Sequence, residues 1–200
     1  MRAIIKNIGE DYFISSLPTS YQKVQPVKNR GLLPNIRVNA EVGVWQNLPV
    51  YLESNSFFYL HDLLNEGPLV LSTYSPAWEK YGATHLDRLN KAFDAISKLG
   101  ANMLVISTEQ FKHIVHTVQD YGIEFNIVQD LNNKISEALG VYSEFEPVWD
   151  RIAGISEDVP FPATFVISRN RYIVYDYVDK DFEYAVSEKE IERAVKIALK

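Results

Sequence analysis

The chemistry open to this chain is limited first by what it lacks. Its 200 residues include no cysteine. Disulfides, thiolate zinc sites, thiolate-held iron–sulfur clusters and every thiol nucleophile are thereby excluded. Four histidines remain. His113 and His116 stand three apart, and Glu109 and Asp120 extend the same helical face. Such a group could hold a divalent ion if a further ligand arrived. A solvated charged face accounts for the same spacing without an ion, and no metal is expected. His61 and His85 stand alone, with no triad partner evident in the sequence. All four histidines could ligate a haem, but no attachment motif accompanies them and no cofactor is expected. No Gly-x-Ser-x-Gly turn, phosphate loop or Gly-x-Gly-x-x-Gly motif occurs. Glu79 falls in a turn before a helix, where the helix dipole favours its negative charge, with Lys80 and Arg88 following.

These residues need elements to position them. The pattern becomes regular from Gly31. It predicts a short strand over 49–52 and a helix over 57–65 capped by Ser56. A buried strand follows over 69–74, entered through Gly67-Pro68. A helix over 84–99 carries Leu86, Leu89, Phe93, Ile96 and Leu99 on one face and stops at Gly100. The next buried strand is 102–107. Thr108 then caps a helix running to about Asp120, with Phe111, Ile114, Val115 and Val118 facing inward. A strand over 125–128, a short helix over 133–139 closed by Gly140 and a helix over 144–153 come next. Strands over 163–168 and 171–178 form a hairpin through Ser168-Arg169-Asn170. Along the second, Tyr172, Val174, Asp176 and Val178 share one face, and Ile173, Tyr175 and Tyr177 the other. Ser187 caps the last helix, 188–199, with Ile191, Ala194, Val195 and Ala198 inward. Strand and helix alternate first, which favours right-handed parallel crossovers, and a hairpin and helix close the chain. The fold class is α/β, a sandwich with a central mixed sheet and helices on both faces.

Residues 1–30 differ from the rest. They read as an N-terminal arm with a short helix over 4–15 and an irregular connector over 19–30. Tyr12, Phe13, Leu17 and Tyr21 give the arm something to pack with. The domain proper is 31–200. Lys and Arg total 20 against 26 Asp and Glu, for a formal charge of −6. An acidic chain of this kind lacks the basic face that nucleic acid requires. Its opening apolar run breaks after three residues, so no signal peptide is expected, and no run is long enough to span a membrane. The missing cysteines fit a cytoplasmic home.

Two segments carry a resemblance. Gly67-Pro-Leu-Val-Leu-Ser-Thr-Tyr74 is followed by Ser75-Pro-Ala-Trp-Glu-Lys-Tyr-Gly82 and then a helix. This resembles the strand-to-helix turn of AhpC/TSA-type peroxiredoxin-like (redoxin) proteins, which commonly reads Trp-Cys-Pro-Tyr-Cys. Phe161-Pro-Ala-Thr-Phe-Val-Ile-Ser168 is similar to that family's Val-Pro-Ala-Thr-Phe-Val-Ile-Asp strand. Leu139-Gly-Val141 and Phe182, after Val178-Asp-Lys-Asp181, also match in order and spacing. The resemblance covers residues 31–200 and implies a thioredoxin-like fold in a family of antioxidant thiol peroxidases.

The chain departs from the family where the chemistry lies. Trp78 and Tyr81 match, but Glu79 stands at the first cysteine, Lys80 at the proline and Gly82 at the second cysteine. Peroxide reduction needs a thiolate, and neither residue can attack an O–O bond and form a sulfenate. The resemblance therefore implies a pseudoenzyme without thiol peroxidase or disulfide exchange. Two readings of the remaining residues stand: a relict pocket of Tyr74, Trp78, Glu79, Tyr81, Pro162 and Thr164 that binds a small polar ligand or a peptide, or a solvated Glu79 in the first helical turn with the aromatics serving as packing. Non-thiol chemistry around Glu79 is the alternative, and nothing supplies its second catalytic group. Pro162 stands where thioredoxin-like folds put a cis-proline, so a cis Phe161–Pro162 bond is expected. The family also implies a homodimer, with an unidentified protein or small-molecule ligand. The late aromatics Tyr142, Phe145, Trp149, Tyr172, Tyr175, Tyr177, Phe182 and Tyr184 would serve such an interface.

Overall fold

The computed structural model describes residues 23–200. The helix expected over 4–15 and the apolar residues of the arm before residue 23 lie outside them. The central sheet is built on β4 (Leu69–Tyr74), β5 (Asn102–Ser107) and β6 (Asn126–Gln129), which run parallel. Buried on both faces, these strands read as near-continuous apolar runs. β7 (Ala163–Ile167) pairs antiparallel with β4, and β8 (Ile173–Val178) antiparallel with β7. A two-residue β2 (Gly43–Val44) closes the other edge against β6, giving the order β2-β6-β5-β4-β7-β8. β1 (Arg37–Asn39) and β3 (Phe57–Tyr59) form a separate antiparallel pair.

Alternation along the strands divides the core in two. Val70, Met103, Val105 and Ile127 face α1 (Glu79–Ser97), α2 (Phe111–Tyr121) and the last helix, Glu188–Ala198. Leu86, Leu89 and Ile96 of α1, Ile114 and Val118 of α2, and Ile191 and Val195 of the last helix meet them. Leu69, Leu71, Leu104 and Ile106 face the other way. There they are covered by α3 (Lys134–Ala138), by the turn of 3-10 helix Leu60–Asn65 and by Phe58 of β3. Helices thus lie on both faces of a mixed sheet, and the last helix is numbered α4.

Several local expectations change, each for a visible reason. The predicted strand over 49–52 is a 3-10 turn, Val50–Leu52. The predicted helix over 57–65 opens as strand, because Phe57-Phe-Tyr59 has a partner in Arg37–Asn39 and aromatic residues suit a pleated strand. α1 begins at Glu79 rather than 84. α2 starts at Phe111 with Gln110 as its cap, since the Thr108 hydroxyl is spent on Ser75 Oγ at 2.8 Å. Phe111, in the first turn, is exposed rather than inward, and Val115 is half-buried. The helix expected over 144–153 is reduced to a 3-10 turn, Val148–Asp150. Pro147 precedes it and has no N–H to continue a ladder. In the hairpin, a register shift between Val166 and Ile167 breaks the alternation, so Val174 packs on the same core as Tyr175 and Tyr177. The last helix and all four of its inward residues stand as expected.

The described part of the arm lies against the domain. Val24 is buried, and the Val27 N–H donates to the Leu139 carbonyl at 3.0 Å. Gly140 permits this approach: a Cβ there would meet the Gln25 carbonyl oxygen at 2.0 Å, and its φ is +70°. Further on, the strap from Arg30 to Leu33 pairs with the start of β8 (Arg30 N–H to the Ile173 carbonyl, 2.8 Å; Ile173 N–H to the Gly31 carbonyl, 2.9 Å).

Candidate functional site

The turn from β4 into α1 is built by short-range hydrogen bonds. Ser75 Oγ accepts the Ala77 N–H at 3.2 Å, Pro76 supplies a fixed φ, and the Trp78 N–H donates to the Ser75 carbonyl at 3.2 Å. Glu79 comes next with φ 50° and ψ −123°, a conformation that strains any residue with a side chain. Its carboxylate is exposed, and among the described residues it has no hydrogen bond or ion pair. Arg88, which the sequence placed near it, instead donates to the carbonyls of Ala185 and Val186. Gly82 is buried, and a Cβ there would meet the Ser75 carbonyl oxygen at 2.9 Å and the Tyr74 ring at 3.2 Å. Position 82 therefore has no room for a side chain unless its neighbours shift.

The three rings of the expected pocket do come together, packed on one another. Trp78, 3% exposed, makes edge contacts with Tyr74 (6.2 Å between centroids), Tyr81 (6.1 Å), His85 (6.0 Å) and Phe182 (5.8 Å). Phe182, held at φ 56°, also covers Tyr81 at 5.1 Å. The Tyr81 hydroxyl donates to Asp179 Oδ2 at 2.9 Å. The buried Asp179 carboxylate is fixed by the N–H groups of Tyr184 (2.8 Å) and Asp181 (3.2 Å). Burial first, and the Asp179 charge second, push the Tyr81 hydroxyl well above its ordinary value. Burial likewise raises Tyr74, with the Glu109 charge as the lesser cause.

Pro162 and Thr164 join the site from the β7 side. The Asp179 N–H donates to the Pro162 carbonyl at 2.9 Å. No peptide bond is cis among the described residues, so the expected cis Phe161–Pro162 bond is trans. The trans form is the intrinsically favoured one, and here a side chain ties the link to β4. Thr73 Oγ1 donates to the Phe161 carbonyl and accepts the Ala163 N–H, both at 2.9 Å. Thr164 Oγ1 lies 2.8 Å from Ser72 Oγ.

His85 is the residue that sequence reasoning missed. Its Nε2 lies 2.9 Å from Ser72 Oγ, which donates its own proton to the Ala163 carbonyl at 2.8 Å. Ser72 must then accept from both His85 and Thr164, which assigns the His85 proton to Nε2 and leaves Nδ1 as a bare acceptor. That Nδ1 is buried without a partner. Burial pushes the imidazole down to about 4, against the opposing pull of the Thr73 backbone, so His85 is neutral near pH 7. Its place one helical turn after Tyr81, on which it stacks at 6.1 Å, was the available sequence signal. Ser72, its partner from β4, was not visible in that spacing. Both residues are fully buried, so the pair is closed to a substrate.

The four residues that could have shared an ion are not gathered into a site. Glu109 turns back to accept from Thr117 (2.9 Å) and Ser107 (3.3 Å), and burial raises its carboxyl above the ordinary range. His113, His116 and Asp120 remain exposed. Among the described residues no group of three or more histidine or carboxylate side chains could hold an ion. His61 is stacked on Tyr59, far along the chain from the other three.

Comparison with known proteins gives a consistent picture. The AhpC/TSA family model matches residues 52–176. No curated protein matches the chain significantly. Among solved structures it is similar to a 2-Cys peroxiredoxin of Plasmodium vivax, in the reduced form, with a TM-score of 0.63 and 17% identity over 86% of this chain and 81% of that one. It is similar to the mitochondrial 2-Cys peroxiredoxin of Plasmodium falciparum, with a TM-score of 0.63 and 16% identity over 85% and 93%. The peroxidoxin BcpB of Mycobacterium tuberculosis aligns with a TM-score of 0.59 and 16% identity over 86% and 94%. At these identities the likeness shows the fold, a thioredoxin-like sandwich.

Proposed function

Because the chain belongs to the AhpC/TSA family and holds no cysteine, we propose that it has lost thiol peroxidase and disulfide exchange and acts as a binding or protein-interaction module in a redox-related setting. The observation that carries this reading is the state of the two cysteine positions. Glu79 is an exposed carboxylate, and Gly82 is wedged against the Ser75 carbonyl. Neither supplies the thiolate that peroxide reduction needs, and the neutral, buried His85 cannot reach a substrate. The test is direct. Pure protein incubated with hydrogen peroxide and a thiol reductant should give no turnover above the buffer blank. Turnover by cofactor-free protein would overturn the reading.

Because Trp78, Tyr81 and Phe182 pack on one another, the reading favours contact through the outer surface over a small ligand among the rings. β8 is the outer strand of the sheet; the segment 28–33 runs along its start through the Leu32–Tyr172 bridge, the bonds to Ile173 and the Asn29 N–H on Asp176 Oδ1, and among the described residues no other strand pairs with its far edge. An open strand edge invites a second strand. The proposed partner there is a second copy of this chain. Sedimentation over a range of concentrations should give a dimer mass, and a monomer throughout would remove this part of the reading. A cytoplasmic setting belongs to the same proposal and rests on composition. Among the described residues no helix is long and apolar enough to cross a membrane.

A further inference from the structure

The aromatic group under α1 contains an asymmetry that neither thiol loss nor partner binding uses. The Trp78 indole N–H is buried and has no hydrogen-bond partner. The Tyr81 hydroxyl, one ring contact away at 6.1 Å, donates to a carboxylate at 2.9 Å. The two rings therefore respond differently to the loss of an electron. An oxidised indole is a cation until its N–H proton leaves, and Trp78 has no acceptor for that proton. A phenol becomes easier to oxidise when its proton can leave with the electron. Asp179 is placed to take it, already fixed by the N–H groups of Tyr184 and Asp181, so little rearrangement is needed.

We propose that Tyr81 and Asp179 form a one-electron redox site fed through Trp78. In the first step Trp78 gives one electron to an outer-sphere one-electron oxidant and becomes a radical cation. In the second, an electron passes from the Tyr81 ring to Trp78 across their contact. The phenolic proton moves at the same time from Tyr81 Oη to Asp179 Oδ2. The products are neutral Trp78, a neutral tyrosyl radical and a protonated Asp179. One positive and one negative charge disappear together, and one unpaired electron remains throughout. Tyr74 also touches Trp78, at 6.2 Å, but its hydroxyl has no hydrogen bond to a carboxylate among the described residues. The oxidising equivalent is therefore directed to Tyr81. This inference is independent of the peroxidase reading, since it needs only the side chains of Trp78, Tyr81 and Asp179 and an external oxidant.

The experiment uses the full chain carrying Trp45→Phe and Trp149→Phe, which leaves Trp78 as the only one of the 3 tryptophans. Trp78 is photo-ionised with a cobalt(III) ammine complex in solution, which takes up the electron and is reduced irreversibly to cobalt(II). Transient absorption should show the tryptophan radical decaying as a tyrosyl radical rises. The rise should slow in D2O. Asp179→Asn should slow it by about tenfold, and Tyr81→Phe should abolish it and prolong the tryptophan signal. Tyr74→Phe should leave it unchanged. An unchanged tyrosyl rise in Tyr81→Phe or in Asp179→Asn would overturn the proposal. So would equal rates in H2O and D2O, a comparison that holds even if a site variant fails to fold.

Discussion

The seam between β4 and β7 and the turn that leaves β4 are only a few residues apart, yet they differ in how firmly their polar groups are bound. Along the seam the Ser72 and Thr73 hydroxyls of β4 are both engaged. Ser72 meets His85, Thr164 and the Ala163 carbonyl, and Thr73 bridges the Phe161 carbonyl and the Ala163 N–H. All of these side chains are buried, where an unmade hydrogen bond is costly. At the turn, Glu79 is exposed and unbonded, in a strained conformation. Water solvates a side chain at position 79 whatever it is, so its identity can change without unfolding the chain. A group in the seam has no such freedom. This is how a scaffold can persist after its reactive residues are gone.

Three measurements test that contrast. The largest effect is expected for Thr73→Val, which strands a buried carbonyl and a buried N–H. Urea unfolding should show a loss of about 4 kcal/mol. A loss near zero would mean that the seam relaxes as easily as the turn.

The next concerns His85. An ordinary imidazole titrates near 6.5, and this one is held at about 4. Above pH 6.5 the folded and unfolded chains both carry it neutral, and pH has no effect through this group. Between 6.5 and about 4 the unfolded chain takes up a proton that the folded chain refuses. Stability therefore falls with pH through that window, by about 3 kcal/mol in all. The folded chain of His85→Gln has no such group, so the difference between parent and variant should track this fall. Parallel pH profiles of the two proteins would show that the imidazole is not held neutral.

The smallest effect belongs to the turn. Glu79→Gly removes the side chain that makes φ 50° unfavourable, and should stabilise the protein by about 1 kcal/mol despite the greater freedom of glycine in the unfolded chain. A destabilised variant would mean that the Glu79 side chain supports the turn after all.

Much of this organisation was legible in the residues. The strands 69–74 and 102–107 could be placed to the residue because they are covered on both sides and so read as unbroken apolar runs. The last helix could be placed because Ile191, Ala194, Val195 and Ala198 keep a 3.6-residue period. The stretch 57–65 could not. Its aromatic start is strand only because Arg37–Asn39 arrives beside it, a contact that local pattern does not encode. The same holds at the site. Trp78, Glu79, Tyr81 and Gly82 were found from one contiguous segment, whereas Asp179 and Phe182 reach it from far along the chain.

What the sequence alone determined is the absence of thiol chemistry, since a cysteine count of zero holds under any folding of the chain. The succession of strands and helices along the chain and the inward faces of the last helix were also set by period and spacing. The tertiary structure decided what surrounds the segment from Tyr74 to Gly82. It filled the space with Phe182 and His85, closed Gly82 against the Ser75 carbonyl, turned Glu109 away from His113 and His116, and gave Tyr81 a carboxylate while leaving the Trp78 N–H without a partner. Each of these outcomes depends on which groups distant segments bring within a few ångströms. Burial then fixes the result, because inside the core a polar atom can be matched only by a neighbour and not by water.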